Sequence, residues 1–539
     1  MINRILKTKT QEKIETITGA EFLTSLLSEL GVDTIFGYPG APILPIYDAL
    51  SRTDKIKHYL SRHEQGAIHA AEGYAKIKNK SGVVLVTSGP GFTNTITGLA
   101  NAYNDNTPLV VISGITETYG QNEFQDTDLI SLTKSCTKKT ILVHSAKDIE
   151  KTIKTAFAEA NKIPKAPIVI GITKSALIDK ITPKSEYKTK KEIKVDAHHS
   201  CVLRAIEDLK NAKRPLIIAG GGTSYAEKEV IELAHLTHIP VVHTMMAKGV
   251  ADEISSGMIG LNGDEKLNNL IKNADVVLAL GTRFSNRTTN NEDKFLPNSK
   301  IISINIEHNK SKNVDISKEI IGEVDIVLQH IIGVIKANNL LFNINYEWIE
   351  QLSPIDTKDV LTESEFLTSE YALNEIYKYT KKYRPIITTD VGEHQVLASK
   401  IFKTNSSKKF LTSGGFGVMG YGLPASIGAH IASPNSLVLN ITGDGSFQMN
   451  IQELGTCAEY NIPVKIIVMN NSSLGMIANV QKEEFETTYQ SGLINPDFTK
   501  IAEAYGIASY HVTTKNELQQ ALKEMFTYKK AVLLDIVVN

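Results

Sequence analysis

Short apolar runs alternate with longer amphipathic stretches along almost the whole chain. Pro108 to Ser113, Pro215 to Ala219, Leu437 to Thr442 and Val464 to Met469 are unbroken or nearly so. They are far shorter than the roughly 18 residues of a membrane span. They also lack the strict polar alternation of a half-exposed strand, so they suit strands buried on both faces of a parallel sheet. Their alternation with amphipathic segments predicts repeated βα units and an α/β fold. Two polar stretches interrupt the pattern, Pro183 to Lys194 and Ser353 to Glu365. Read as linkers, they leave a first domain over 15–182, a central one over 195–340 and a third over 366–539. No close internal repeat is visible, which still leaves the first and third pieces free to share a fold.

Composition narrows the function classes. Apolar residues make up 42% of 539 residues, enough for a core in each piece. With 58 basic and 59 acidic residues the formal net charge is -1, so no basic excess points to nucleic acid. Cys136, Cys201 and Cys457 are too few and too scattered for a disulfide framework or a CxxC metal site. The first residues, MINRILKTKTQEK, have no apolar core of a secretory signal. The expectation is a cytoplasmic protein without a membrane span.

The most informative segment lies in the third piece. The run Leu437 to Thr442 leads into Gly443, Asp444, Gly445 and Ser446, then a helical pattern, then the run Val464 to Met469 and the pair Asn470 and Asn471. The spacing leaves room for one helix and a return strand. Asp444 and the Asn pair then sit at the carboxyl ends of neighbouring parallel strands, where open α/β sheets bind ligands. A carboxylate and an amide oxygen there are hard ligands suited to Mg²⁺ shared with a diphosphate. The glycines admit a close backbone approach, and the helix start favours an anion. GDG alone is more often a tight turn with an Asp cap; the Asn pair after a second apolar strand is what distinguishes this one.

This segment resembles the diphosphate-binding motif of thiamine-diphosphate enzymes, and GDGSFQMNIQELGT…NN…GM is similar to the acetolactate synthase branch. RHEQGA around Glu64, FGYPGAPILPIYDAL (36–50) and TSGPGFTNTITGLANAYNDNTPLVVISG (87–114) resemble the first domain of the same family, so the resemblance covers essentially the whole chain. It implies three doubly wound parallel-sheet domains: a pyrimidine-binding one, a Rossmann-like middle one and a diphosphate-binding one. It implies that Asp444, Asn471 and the Ser473 carbonyl hold Mg²⁺, and that Gly445, Ser446, Gly475 and Met476 contact thiamine diphosphate. Glu64, otherwise an ordinary acid in a helix's first turn, becomes the carboxyl that hydrogen-bonds the aminopyrimidine ring and so promotes C2 deprotonation. In TSGGFGVMGYGLPA (412–425), otherwise glycine turns around a gap-filling Met, Met419 becomes the wedge that bends the cofactor, with Gly417 beside it. Val391, Gly392 and His394 match a second diphosphate-binding turn, although Glu393 stands where the family usually has Gln.

For the substrate, Phe124-Gln125-Asp126 is similar to the family's FQE, which lines the cofactor's reactive face, and the resemblance implies that Gln125 hydrogen-bonds the substrate or intermediate. Gly281 to Arg287 is similar to GARFDDR, with Arg287 gripping a keto-acid carboxylate; a loop glutamine and a surface arginine are the plain alternatives. A flavin adenine dinucleotide in the middle domain is left open. Ala219-Gly-Gly-Gly and Gly281 to Arg283 fit its site in part, but Ile259-Gly-Leu-Asn-Gly replaces LGMHG. Three further departures surround the substrate: Val480 in place of the family's specificity Trp, Ala41-Pro42 in place of Gly-Ala, and a last strand that ends near Asn539, where the family usually continues with a closing arm.

The implied reaction decarboxylates pyruvate and joins the remaining two-carbon unit to a second 2-keto acid. A related lyase, decarboxylase or carboligase with another substrate is the runner-up, and a non-catalytic cofactor-binding protein a third reading. The family places its cofactor between two subunits, which implies a homodimer or tetramer; a regulatory small subunit is left open.

Overall fold

The computed structural model describes residues 16–118, 124–182, 197–343, 345–353 and 366–538. Most of the two stretches read as linkers falls outside these residues. Three six-stranded sheets, every strand pair parallel, carry the chain. Each is covered on both faces by helices and has a separate buried core on each side, which is why its strands read as continuous apolar runs.

The first sheet runs, edge to edge, Lys57–Leu60, Thr34–Gly37, Gly82–Val86, Leu109–Ile115, Ile168–Thr173, Lys139–Val143. The third runs Phe410–Thr412, Ile386–Thr389, Val438–Gly443, Lys465–Asn470, Val532–Val537, Ala508–Val512. Numbered in chain order within each domain, both are 2-1-3-4-6-5. The first and third domains therefore share a topology that their sequences do not display. The middle sheet is different: Ser255–Met258, Val241–His243, Pro215–Ala219, Val276–Leu280, Lys300–Asn305, Ile316–Ile321, the 3-2-1-4-5-6 order of dinucleotide-binding folds. A two-stranded antiparallel clasp, Ile17–Thr18 with Lys180–Ile181, ties the ends of the first domain together.

The first and third domains meet through two helices. Glu64–Lys78 starts at His63, whose Nδ1 accepts a hydrogen bond from the Gln65 amide at 3.1 Å, and ends at Asn79, a left-handed cap with φ 54°. Gly422–Ala432 crosses it with the backbones almost touching. A β-carbon on Gly73 would lie 2.1 Å from the Ala425 carbonyl oxygen, and one on Gly428 would lie 1.8 Å from that of Ala70. Only glycine permits this approach. No helix among the described residues is long and apolar enough to cross a membrane. Trp348 belongs to the middle-domain core, its indole N–H donating to the Pro215 carbonyl at 2.8 Å.

Candidate active site

Glu64 is the first residue of its helix, and the turn before it is gripped from the third domain. The amides of Arg62 and His63 both donate to Glu453 Oε1, at 2.9 and 3.1 Å. Burial pushes the Glu453 carboxyl up to about 7, against the pull of hydrogen bonds from Thr456 and these two amides. Glu64 is itself buried, and its Oε2 accepts from Asn94 Nδ2 at 3.0 Å. Its Oε1 faces Gly91, 3.2 Å from where a β-carbon there would stand. Gln125, with φ 64°, lies over Gly89 and accepts from Ser88 Oγ at 3.2 Å. The segment Thr87 to Asn94 thus brings Glu64 and Gln125 to one end of the first sheet.

Asp444 directly follows the strand Val438–Gly443, which pairs in parallel with Lys465–Asn470, as the spacing predicted. The carboxyl is buried, with Oδ2 accepting from Asn495 Nδ2 at 2.7 Å and Oδ1 from the Gly445 amide at 2.9 Å. Burial raises its pKa, and the Asn495, Gly445, Ser472 and Ser473 donors partly offset that. The Asn471 to Ser473 turn therefore faces Asp444. Asn471 Oδ1 accepts from the Ser473 amide at 3.1 Å, and Ser472 takes φ 52°. Asn495 also donates to Asn470 Oδ1 at 2.9 Å, locking the two strand ends together.

Among the described residues no three His, Cys, Asp or Glu side chains converge on one point. The Asp444 set thus offers one carboxylate, an amide oxygen and a backbone carbonyl. That donor set fits Mg²⁺ sharing the oxygens of a diphosphate rather than a metal held by protein alone. The neighbouring turn fits as well. Ser446 Oγ donates to the Val391 carbonyl at 3.2 Å, and buried His394 packs its ring against Gly392 and Gly443 with Nε2 lacking a hydrogen-bond partner. Burial holds His394 down to about 4, so it is neutral near pH 7. Glu393 is exposed at the same helix start.

The glycine-rich loop closes the third side. Gly417 and Gly420 have φ 77° and 86°, the region that glycine enters at no steric cost. They turn the chain so that Met419 Cε comes 3.7 Å from where a β-carbon on Gly445 would stand. An Arg287 Nη lies 4.0 Å from the equivalent point on Gly417. The structure thus gathers Val391, Gly392, His394, Gly417, Met419, Asp444, Gly445, Ser446, Asn471 and Ser473 at the carboxyl end of the third sheet, with Arg287 reaching the loop. Gly475 and Met476 open the next helix, Gly475–Phe485, in which no residue is buried; Ile477, Val480 and Phe485 are exposed. No hydrogen bond among the described residues joins the Glu64 and Gln125 group to the Asp444 group.

One sequence expectation needs correction. The helix expected after Asp444 is three pieces, Asp444–Gln448, Ile451–Glu453 and Leu454–Glu459. The break comes at Asn450, buried with φ −136°, because its Nδ2 donates to the Gly420 carbonyl at 2.7 Å and so braces the Met419 loop. In the middle domain the Gly220 and Gly222 amides donate to the Leu280 and Gly281 carbonyls at 2.8 and 2.9 Å. These bonds tie the Gly220 turn to the neighbouring strand end and leave the flavin expectation open. Asn94, Asn450 and Glu453 lie inside the segments that carry the family resemblance, but their partners, like that of Asn495, stand across gaps in the chain that no local motif spans.

Comparison with known proteins agrees with this geometry. The chain matches models of the thiamine pyrophosphate enzymes in order: the N-terminal TPP binding domain over residues 17–132, the central domain over 202–331 and the C-terminal TPP binding domain over 390–536. It is 36% identical to the acetolactate synthase large subunit of Haemophilus influenzae, across 97% of this chain and 95% of that one. It is 35% identical to the acetolactate synthase isozyme 3 large subunit of Escherichia coli, across 98% and 96%. The Saccharomyces cerevisiae acetolactate synthase catalytic subunit, mitochondrial, is 34% identical across 97% of this chain and 81% of its own length. With the likeness running through all three domains, the chain belongs to the acetolactate synthase large-subunit family of thiamine pyrophosphate enzymes.

Proposed function

We propose that this protein condenses pyruvate with a second 2-keto acid, releasing carbon dioxide, and that acetolactate from two pyruvates is the first product to seek. The observation that carries the reading is the buried Asp444 carboxyl at a strand end, facing the Asn471 to Ser473 turn and roofed by the Met419 loop. Thiamine diphosphate, when bound, supplies a nucleophilic carbon that adds to a keto carbonyl and accepts the electrons left by decarboxylation. Asp444, Asn471 Oδ1 and the Ser473 carbonyl would hold Mg²⁺. Gly445, Ser446, Gly475 and Met476, with Val391, Gly392 and neutral His394, would line the diphosphate. Glu64, fixed by Asn94, would hold a proton against the pyrimidine ring. Met419 and Gly417 would support the bent cofactor. Gln125 and Arg287 would take the substrate, Arg287 by a two-pronged grip on a carboxylate.

The same reading includes a second copy of the chain, for which the support is the Gly475–Phe485 helix, whose apolar residues Ile477, Val480 and Phe485 are exposed. Relatives named large subunits support a smaller regulatory partner. A flavin in the middle domain stays open, and the visible absorption of the purified protein decides it. An exposed Val480 on that unpartnered helix favours a different acceptor as the second reading.

The test is pyruvate consumption with thiamine diphosphate and Mg²⁺, with the product identified, in the wild type and in Glu64→Gln. Acetolactate from the wild type alone is the expected result. Equal rates from both proteins would remove Glu64 from the mechanism, and turnover of other keto acids only would move the search to the second reading.

A further inference from the structure

The loop that carries Met419 belongs to the third domain, yet its shape is held by side chains of the first. Asn101 and Asp105 lie one turn apart along and just beyond the helix Ile96–Asn104. Asn101 Oδ1 accepts from Ser413 Oγ at 2.6 Å, and the same Ser413 oxygen accepts from the Val418 amide at 2.7 Å. Asp105 Oδ1 accepts from the Gly415 amide at 3.0 Å. Glu72 and Lys76, again one turn apart, stand behind them. Glu72 Oε2 accepts from Asn101 Nδ2 at 2.7 Å, and Lys76 Nζ donates to Asp105 Oδ2 at 3.1 Å. The result is a two-rung ladder, Glu72–Asn101–Ser413 and Lys76–Asp105–Gly415, ending on the amides at either side of Phe416 and Gly417. Glu72, Asn101 and Ser413 are each wholly buried, so a lost member leaves its neighbours without water to replace it.

We propose that Asn101 and Asp105 are positioning residues for Met419, transmitting the docking of the first domain to the cofactor-bending loop of the third. The proposal rests on the reading of Met419 given above. Glycine at 414, 415, 417 and 420 leaves this loop little conformational preference of its own. Something outside it must select the one shape that puts Met419 over Gly445, and the two rungs terminate where that selection is needed. A purely stabilising contact would be indifferent to which loop amides it held.

The experiment uses the full-length protein and two readouts. Amide hydrogen exchange across 413–421 is followed without added cofactor in wild type, Ser413→Ala, Asp105→Ala and Asp105→Asn. Ser413→Ala should speed exchange at Val418 roughly tenfold or more, and Asp105→Ala should do the same at Gly415. Asp105→Asn should keep Gly415 slow, because its amide oxygen still accepts. With saturating thiamine diphosphate and Mg²⁺, Ser413→Ala and Asp105→Ala should lower kcat about tenfold while KM for the keto acid stays within about twofold, and Asp105→Asn should recover most of kcat. Wild-type exchange in the Ala variants overturns the ladder. Faster exchange with wild-type kcat overturns its positioning role. Should Asp105→Ala fail to fold, Asn101→Ser, which withdraws the first-domain acceptor from Ser413 Oγ, decides by the same exchange and kcat readouts. Absence of thiamine-diphosphate-dependent turnover in the wild type would sink the functional reading instead, and the exchange data would still settle whether the first domain holds the loop.

Discussion

Glu453 illustrates how one side chain couples the chemistry of two domains. It caps the turn that leads into Glu64 while buried in the third domain, and its carboxyl is pushed up to about 7. A carboxyl raised on folding binds its proton more tightly in the native state. Its contribution to stability is therefore full below the unfolded value of about 4.3, falls as pH rises, and is lost above about 7. The effect is on the order of 3 kcal/mol, since burial dominates and solvent screens little. Glu453→Gln keeps an oxygen for the Arg62 and His63 amides but cannot ionise. Thermal midpoints compared at about pH 5 and about pH 8 should fall for the wild type and stay nearly level for the variant. A parallel fall in both proteins would assign the pH dependence to other groups.

At the scale of elements, the junction between the helices Glu64–Lys78 and Gly422–Ala432 sets the spacing of the first and third domains. A β-carbon on Gly73 would stand 2.1 Å from the Ala425 carbonyl oxygen, and backbone cannot rotate aside as a side chain can. Gly73→Ala should cost about 1–3 kcal/mol, the usual range for overpacking. The counterpart is Gly333 in the helix Val324–Ala337, where an added β-carbon meets nothing within 4 Å. Gly333→Ala should gain roughly 0.5–1 kcal/mol from helix propensity and a less flexible unfolded chain. Thermal unfolding of the two variants should shift in opposite directions. A shared direction would mean that the Gly73 crossing relaxes freely.

For the whole molecule, the proposed pairing of two copies of the chain leads to a complementation test. If one chain supplies Glu64 and its partner supplies Asp444, then Glu64→Gln and Asp444→Ala subunits are each inactive alone. Unfolded together and refolded in equal amounts, about half of the dimers are mixed, and each mixed dimer has one intact site of two. Activity should return to roughly a quarter of wild type. A mixture that stays inactive would place both groups in a single chain's site. The shared 2-1-3-4-6-5 strand order of the first and third domains fits such an arrangement, since two like-shaped halves can face one another about a symmetry axis.

What was legible in the sequence was local and repetitive. The runs Leu437 to Thr442 and Val464 to Met469 appear as the strands Val438–Gly443 and Lys465–Asn470, within about a residue, because burial on both faces imposes an unbroken apolar run. Asp444 and Asn471 could be placed together because both follow strands that a single crossover makes neighbours. Sequence spacing could not place Asn495 on Asp444, Asn101 on Ser413 or Glu453 on the Arg62 amide, contacts that span 51, 312 and 391 residues. The helix broken at Asn450 belongs to the same class, since a buried amide serving the Gly420 carbonyl outweighed the local helical pattern. The sequence alone determined the strands, the parallel α/β class and the residue types that can hold a metal and a diphosphate, because periodicity and short-range spacing encode these directly. Only the tertiary structure decided which first-domain side chains hydrogen-bond the Met419 loop and how closely the two outer domains approach, because hydrogen bonds and van der Waals contacts act through space and take no account of distance along the chain.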